Sequence, residues 1–385
     1  MKLLVISPDF PFPENQGFRI RVVDLARALA PHVEQHLLVY GDVPASAPFE
    51  PFARVTAVAR VEPSPLDRLL RRLRRPLLDH PSYTPKVLRE AIAEVQERED
   101  FDACLVHTPL LAGCFRALPA TVRRWVDAHD LWYEKYACLR ALGCGELLEH
   151  CRDREAELRI YRSADLTLAI SLHDHEQLLR QGVAAERLVH TPVSFPARPI
   201  PNEVDAPVLF YAAGTGQMNE DAIHYFVDQV LPRVRQRVAG ARLHVLGAGR
   251  EIRRAFSARE GVVLLPYVDD VAEAYAAAKV VVVPLRYGTG LKIKVLEAFS
   301  FGRPTVLSDA ARQGVALGDY PQHDFSIAPE AFAQQVVRAL EDRGYRSALA
   351  ASGLRVIREH YSRDAAYGGL LEHVHDPQRV PPVPA

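Results

Sequence analysis

The chain has 385 residues, of which 48% are hydrophobic and 25% are charged, and its formal net charge is −1. This length predicts two domains of about 180 residues each. The near-neutral charge argues against a nucleic-acid-binding protein, and no run reaches the roughly 18 apolar residues that a membrane span needs. The five cysteines lack Cys-x-x-Cys pairs, which predicts reduced thiols in a cytoplasmic protein and no metal site.

Short β-branched runs alternate with longer segments of helical periodicity, a pattern typical of parallel strands joined by covering helices. The N-terminal run is too short for a signal peptide and is interpreted as the first strand. Helices are predicted over 17–30, 85–97 and about 146–163. The strands predicted in this half are KLLVI, EQHLLVY, RVTAVARV, DACLVH, RRWVDA and DLTLAI.

A proline-rich stretch near residues 191–206 is predicted to link two domains. After it the alternation restarts, with strands PVLFYAA, ARLHVLGAG, GVVLLPYV, KVVVVPL and RPTVLS. We therefore predict an α/β chain with a Rossmann-like domain over 1–195 and another over 196–360, while the last helix, 361–376, packs back on the first. Two doubly wound sheets are expected to face a cleft at the carboxyl ends of their strands, where ligands bind.

The most informative stretch is GTGLKIKVLEA, which follows the predicted strand KVVVVPL. Gly288 and Gly290 precede a predicted helix, and free amides at a helix N-terminus favour anions. Lys292 and Lys294 add positive charge there, although the chain has only six lysines. Glu297 lies one turn further along, where a carboxylate is able to accept hydrogen bonds from a ribose. The alternative interpretation is an ordinary solvated helix start.

The first loop repeats this pattern more weakly. Gly17 follows the first strand and opens a helix, and Arg19 and Arg21 stand in its first turns. Gly214, in GTGQMN, resembles a phosphate loop in composition but lacks the Lys-Ser/Thr pair of a P-loop, so a tight turn is the alternative.

Histidines end two of the predicted strands. His107 ends DACLVH, and His129 with Asp130 follows RRWVDA. Histidine at a strand's carboxyl end is a candidate for proton transfer or polar contact, because its pKa is close to neutrality. A structural role is the alternative for either one alone.

An amphipathic arginine-rich segment occupies residues 66–75. As a helix it would place leucines on one side and arginines on the other, a pattern suited to an anionic membrane surface. Packing on its own domain is the alternative.

These motifs together resemble the retaining glycosyltransferases of the GT-B fold, similar to family 4. The resemblance covers nearly the whole chain and is carried by four stretches. They are PFPENQGFR, RSADLTLAIS, VLFYAAGTGQMNEDAIHYFVDQVLPRV and, most specifically, VVVPLRYGTGLKIKVLEAFSFGRPTVLSDAARQG.

The resemblance implies transfer of a hexosyl group from a nucleoside-diphosphate sugar to a glycan or lipid-linked acceptor, with retention and without a metal or other cofactor. The donor is expected on the second domain and the acceptor on the first. The protein itself is expected in the cytoplasm or at the inner face of a membrane. Expected roles are catalysis by His129, Asp130 and Lys294, with His129 touching the transferred sugar, and acceptor contacts from Arg19 and His107. Donor contacts are expected from Gly17, Gly214, Tyr267, Val268, Gly288, Thr289, Gly290, Leu291, Lys292 and Glu297.

Two departures from the family pattern concern the donor site. The usual first glutamate, eight residues before Glu297, is Thr289 here, and the loop after the second domain's first strand has no basic residue. A nucleotide-sugar 2-epimerase and a non-catalytic nucleotide-sugar-binding subunit are the alternatives, because fold alone does not decide activity.

Overall fold

The computed structural model describes residues 1–44, 48–60, 84–201, 203–214, 216–266, 268 and 270–376. The chain divides into two compact units. The first comprises Met1–Ala137, Glu146–Val193 and the chain from Ala366 onward, and the second comprises Cys138–Gly145 and Ser194–Ala365. The break at Val193 falls in the proline-rich stretch. The arginine-rich segment 66–75 lies outside the described residues.

The first unit is built on a seven-stranded parallel sheet in the order β3-β2-β1-β4-β5-β6-β7. Apart from the partly exposed edge strand, Arg54–Val58, its strands are mostly buried, as expected of a parallel sheet covered on both faces. They are β1 (Lys2–Ser7), β2 (Glu34–Tyr40), β3 (Arg54–Val58), β4 (Ala103–His107), β5 (Arg123–Ala128), β6 (Leu166–Ala169) and β7 (Leu188–His190).

Five α-helices of the described chain follow these strands. They are α1 (Gly17–Leu29), α2 (Lys86–Glu99), α3 (Trp132–Ala141), α4 (Arg154–Ser163) and α5 (Leu172–Arg180), and a 3-10 helix spans Pro109–Ala117. The predicted helix over 146–163 is wrong as one element: a 3-10 segment, Gly145–Cys151, precedes α4. The cause is Asp153, whose side chain accepts a hydrogen bond from the Ala156 amide at 3.1 Å and so begins a new helix.

The second unit has a five-stranded parallel sheet in the order β10-β9-β8-β11-β12. Its strands are β8 (Val208–Ala212), β9 (Arg242–Leu246), β10 (Val262–Leu264), β11 (Val280–Val283) and β12 (Thr305–Leu307). The helical segment after β8 comprises α6 (Gln217–Tyr225), a π turn (Phe226–Val230) and α7 (Leu231–Arg237). The shorter helices are α8 (Arg250–Phe256), α9 (Val271–Ala276), α10 (Ile293–Ser300) and α11 (Asp309–Arg312).

Three helices close the described chain. They are α12 (Pro329–Glu341), α13 (Arg343–His360) and α14 (Arg363–His375). Helix α14 buries Ala366, Tyr367, Leu370 and Val374 in the core of the first unit, beside residues of α1 and β1. None of the helices in the described chain is long and apolar enough to cross a membrane.

Candidate functional site

In the second unit, Lys294 links helix α10 to the loop that follows β8. Its ammonium nitrogen lies 2.7 Å from the Ala213 carbonyl oxygen, 2.6 Å from Asn219 Oδ1 and 3.2 Å from the Tyr211 hydroxyl. The Tyr211 hydroxyl donates to Asn219 at 3.0 Å. An ammonium has three protons, so these acceptors match its donor capacity. We refer to Lys294, Tyr211, Asn219 and the Ala213 carbonyl as the Lys294 cluster.

The surroundings of Lys294 disfavour its charge. Burial lowers the pKa of Lys294 to about 7, against the opposing attraction of Glu297. The Tyr211 ring, whose centroid lies 4.6 Å from the ammonium nitrogen, adds a favourable cation–π contact. A pKa lowered this far is unusual for a lysine.

Two glycine loops touch beside this cluster. Gly214 and Gly216 follow β8 with φ of +70° and +122°, and Gly247 follows β9 with φ of +78°. A Cβ atom on Gly247 would come within 2.8 Å of the Gly214 backbone nitrogen. The loops therefore pack backbone to backbone, and glycine is required at Gly247 both for its φ and for this approach.

The loop between β11 and α10 is held by Lys292. This side chain is 6% exposed, and its ammonium nitrogen lies 3.1 Å from the Gly290 carbonyl and 3.3 Å from the Gln313 carbonyl. A Cβ atom on Gly288 would come within 2.9 Å of Lys292 Cε, so the loop fits closely around the lysine. Helix α10 begins at Ile293, one residue after Lys292.

Glu297 lies three residues after Lys294, on the same face of α10. The Tyr275 hydroxyl donates to Glu297 Oε2 at 2.8 Å. Burial raises the pKa of Glu297, although the Tyr275 hydrogen bond and the charge of Lys294 oppose the shift. Tyr275 itself is fully buried, so it fixes one oxygen of the carboxylate in place.

In the first unit, Asp127 at the end of β5 binds three side chains at once. Arg21 donates through Nη2 to Oδ1 at 2.9 Å and through Nε to Oδ2 at 3.1 Å. His107 Nδ1 and His129 Nε2 each lie 2.9 Å from Oδ2 and 3.2 Å from each other. Arg21 and Asp127 are 0% exposed. We refer to these four residues as the Asp127 network.

The charges in this network are unequal. Burial by itself would raise the pKa of Asp127, but Arg21 and the two histidines hold it well below its usual range. Burial lowers the pKa of His107 to about 4, so this histidine is neutral. Burial by itself would lower the pKa of Arg21, but the ion pair with Asp127 has the larger effect, and the pKa of Arg21 is raised. The network is therefore a buried arginine–carboxylate pair with a neutral histidine beside it.

The two histidines and Asp127 lie close enough together to share a metal ion, with ligand atoms within 4.8 Å of one another. However, the Arg21 guanidinium already bonds both carboxylate oxygens. A divalent cation there would be placed next to a second positive charge in a dry environment, where repulsion is strong. The residues present fit a hydrogen-bonded network better than a metal centre.

Three further residues hold this network in place. Phe18 stacks on His129 with ring centroids 4.7 Å apart. Thr191 accepts from Arg21 Nη2 at 2.8 Å, and the Tyr367 hydroxyl of α14 lies 3.4 Å from Arg21 Nη1.

Thr108, directly after His107, has a φ of +110°. This is a strained conformation for a β-branched residue and one often found at functional sites.

Glu157 contacts the start of α3, the helix that begins three residues after His129. It is 0% exposed, and it accepts from the Trp132 and Tyr133 amides at 2.8 and 2.9 Å and from the Tyr161 hydroxyl at 3.0 Å. Burial raises the pKa of Glu157 to about 7, against the effect of these donors. The carboxyl thus caps the N-terminus of α3, two residues after Asp130.

Two family models match the chain. Residues 16–193 match a glycosyl transferase 4-like domain, and residues 206–342 match the glycosyl transferases group 1. This chain belongs to the group 1 glycosyltransferases of the GT-B fold. No curated protein sequence matches this glycosyltransferase significantly.

Solved structures share the fold of this glycosyltransferase at low identity. HepE of Anabaena in complex with UDP and glucose is 13% identical, with a TM-score of 0.69, covering 97% of this chain and 99% of that one. Sucrose-phosphate synthase from Thermosynechococcus elongatus is 18% identical, with a TM-score of 0.71 and the same coverage. TarM, a protein of S. aureus, is 9% identical, with a TM-score of 0.72, again over 97% and 99%.

The predicted site residues of the glycosyltransferase fall into two groups, one in each unit. Gly17 begins α1, and its neighbour Phe18 contacts His129. Arg19 donates to Asp9 at 2.8 Å, and Asp130 accepts from Lys135 at 2.7 Å, so both have intramolecular partners.

The remaining predicted donor residues lie in the second unit. Thr289 is half-buried and Leu291 is buried in the loop before α10, and Val268 is half-buried after β10. Tyr267 lies outside the described residues. The bonds of Lys294 to Tyr211, Ala213 and Asn219 were not anticipated from the sequence.

Sequence reasoning missed Asp127, Tyr367, Glu157 and Tyr275. One signal for Asp127 was available, since an acidic residue inside the apolar strand RRWVDA needs a buried partner. Arg21 was noted only as a helix residue. Nothing local marks Tyr367 as its neighbour, 346 residues away in sequence.

Proposed function

We propose that the chain transfers a hexosyl group from a nucleoside-diphosphate sugar to a glycan or lipid-linked acceptor, with retention of configuration. The observation that carries the proposal is the Lys294 cluster. It joins a lysine at the start of α10 to the glycine loop after β8, at the carboxyl ends of β8 and β11, where open α/β sheets bind ligands.

A diphosphate suits this arrangement electrostatically. A helix N-terminus offers only about half a positive charge, whereas a diphosphate ester has about two negative charges. Lys294 is able to supply up to one further positive charge, and no metal is proposed. HepE binds UDP-glucose, which supports a nucleotide sugar as the donor class.

The remaining roles follow the family resemblance. Glu297 is proposed to bind the ribose, because one of its oxygens is fixed by Tyr275. Residues 288–292 are proposed to contact the diphosphate and sugar, and 267–268 the base. His129 is proposed to contact the transferred sugar, with the acceptor bound by the first unit.

The test is a product analysis with a panel of donors. The purified chain is incubated with UDP-glucose, UDP-galactose, UDP-N-acetylglucosamine and GDP-mannose, with and without lipid-linked and glycan acceptors. We expect acceptor-dependent release of nucleoside diphosphate and, by NMR, an α-linked product from an α-linked donor. An inverted product would contradict retention. An epimerised nucleotide sugar would favour the epimerase alternative. Donor binding without turnover would favour the non-catalytic alternative.

Matched variants connect this activity to the site. Glu297→Gln should lower kcat/KM by about tenfold or more, because a charge-assisted contact is lost. Glu341→Gln, at the exposed end of α12, is the control and should leave kcat/KM unchanged. Equal effects of the two variants on kcat/KM would show that Glu297 does not contribute to the donor site.

A further inference from the structure

The position of each proton in the Asp127 network follows from its geometry. The low pKa of Asp127 makes it a carboxylate, which only accepts hydrogen bonds. His107 Nδ1 and His129 Nε2 both lie 2.9 Å from the same oxygen, Oδ2. A ring nitrogen without a proton at that distance would place its lone pair against the carboxylate. Both nitrogens must therefore carry a proton directed at Oδ2.

This arrangement explains the short contact between the His107 and His129 rings. His107 Nδ1 and His129 Nε2 are 3.2 Å apart, but both are donors to a shared acceptor, so they do not bond each other. The second nitrogen of His129, Nδ1, is left without a proton when the ring is neutral. It is then a hydrogen-bond acceptor.

We propose that Asp127 is a positioning residue that holds His129 in the Nε2–H tautomer and leaves Nδ1 to accept a hydrogen bond from a hydroxyl of the transferred sugar. This inference rests on the proposed function. The Phe18 ring, stacked on His129, fixes the ring plane, so Asp127 and Phe18 together set the direction of Nδ1.

Arg21 and Tyr367 extend this positioning to two helices. Arg21 of α1 holds both oxygens of Asp127, and the Tyr367 hydroxyl of α14, near Arg21, donates to Asp24 at 2.6 Å. Without the guanidinium, a buried carboxylate facing two imidazoles would favour a charged histidine. Arg21 thereby reduces the tendency of the carboxylate to charge a neighbouring imidazole.

The distinguishing experiment replaces Asp127 with Asn. Arg21 makes its shorter bond to Oδ1, so the Asn carbonyl is expected at that position and the amide NH2 at the position of Oδ2. The amide then donates where the carboxylate accepted, which reverses the tautomer of His129 to Nδ1–H. The same substitution reverses a histidine tautomer in the serine-protease triad.

The readout is a long-range 1H–15N correlation spectrum of 15N-labelled protein, with the His129 signals assigned from His129→Gln. We expect the Nε2–H tautomer in the wild type and the Nδ1–H tautomer in Asp127→Asn. Turnover should fall about 10- to 100-fold, since the acceptor is lost, while UDP affinity stays within about twofold. The control is Asp165→Asn. Asp165 lies directly before β6, and its carboxylate accepts from the Arg124 amide at 2.8 Å, so the variant should leave the His129 tautomer unchanged.

Each result decides a separate point. An Nδ1–H tautomer in the wild type overturns the inference even if Asp127→Asn does not fold, and so does an unchanged tautomer in a folded Asp127→Asn. If the tautomers behave as expected but no donor in the panel is transferred, the positioning of His129 stands and the proposed function fails.

Discussion

Lys294 is a lysine whose proton is weakly held before any ligand binds. Its ammonium is satisfied by three acceptors, yet burial lowers its pKa to about 7. A diphosphate next to it would favour the charged form and raise that pKa. Ligand binding above pH 7 must then be accompanied by proton uptake.

We therefore expect UDP affinity to fall as the pH rises above about 7, by up to tenfold per pH unit. The sign follows because free Lys294 loses its proton in this range and bound Lys294 retains it. Calorimetric titration at pH 8 in two buffers of different ionisation enthalpy should show uptake of up to one proton, and Lys294→Met should abolish it.

The same titrations compare the two lysines of the loop. Lys294→Met should weaken UDP binding by roughly 1.5–3 kcal/mol. Lys292→Met should weaken it less, since Lys292 bonds the Gly290 and Gln313 carbonyls and holds the loop. Equal small losses of UDP affinity in the two variants would show that Lys294 does not contact the proposed anion. Proton uptake that persists in Lys294→Met would show the same.

At the scale of elements, Glu157 determines how α3 is anchored. Its carboxyl accepts from two amides at the start of this helix, which favours the charged form, whereas burial raises its pKa to about 7. In the unfolded chain the pKa of a glutamate is near 4.3. Between about pH 4.5 and 7 the folded state therefore binds more protons, and stability decreases as the pH rises.

We expect Glu157→Gln to remove this pH dependence. From pH 5 to 8 the wild type should lose up to about 3 kcal/mol of stability relative to the variant. Both tryptophans, Trp125 and Trp132, lie in the first unit, so urea unfolding followed by tryptophan fluorescence reports on that unit alone.

The control for this measurement is Glu155→Gln on the exposed surface of α4. It should leave the difference between pH 5 and pH 8 unchanged, because an exposed glutamate has little effect on stability. A parallel pH dependence in the wild type and Glu157→Gln would mean that the buried carboxyl titrates as it does in the unfolded chain.

The strands and the order of elements could be predicted from the sequence, because a two-residue or 3.6-residue period is a local property. The loop at 288–297, proposed to bind an anion, was also a local signal, since a strand, glycines and a helix start are contiguous. The Asp127 network was not, because its ion pair joins residues 106 positions apart. Such pairings depend on topology, and no periodicity encodes them.

At the scale of the whole molecule, the chain returns to its first unit at the end. Helix α14 buries Tyr367, Leu370 and Val374 in the same core as β1 and α1. Burial of three such side chains contributes several kcal/mol, which is a large fraction of the stability of a domain.

We expect a chain that ends at Ser362 to lose cooperative unfolding of the first unit, or to unfold well below the wild-type urea midpoint. A chain that ends at Asp376 is the matched control and should keep that midpoint. Tryptophan fluorescence during urea unfolding measures both. Equal midpoints for the two truncations would show that α14 does not stabilise the first unit.

The placement of α14 also has a consequence for synthesis on the ribosome. Domains generally fold as they emerge, at about 5–20 residues per second. The first unit of this chain is complete only after Ser194–Ala365 has been translated, which takes roughly 10–30 s at that rate. During that interval the nascent sheet lacks the helix that covers part of its core, and Arg21 lacks its Tyr367 neighbour. The nascent first unit therefore exposes apolar surface until the final helix has been translated.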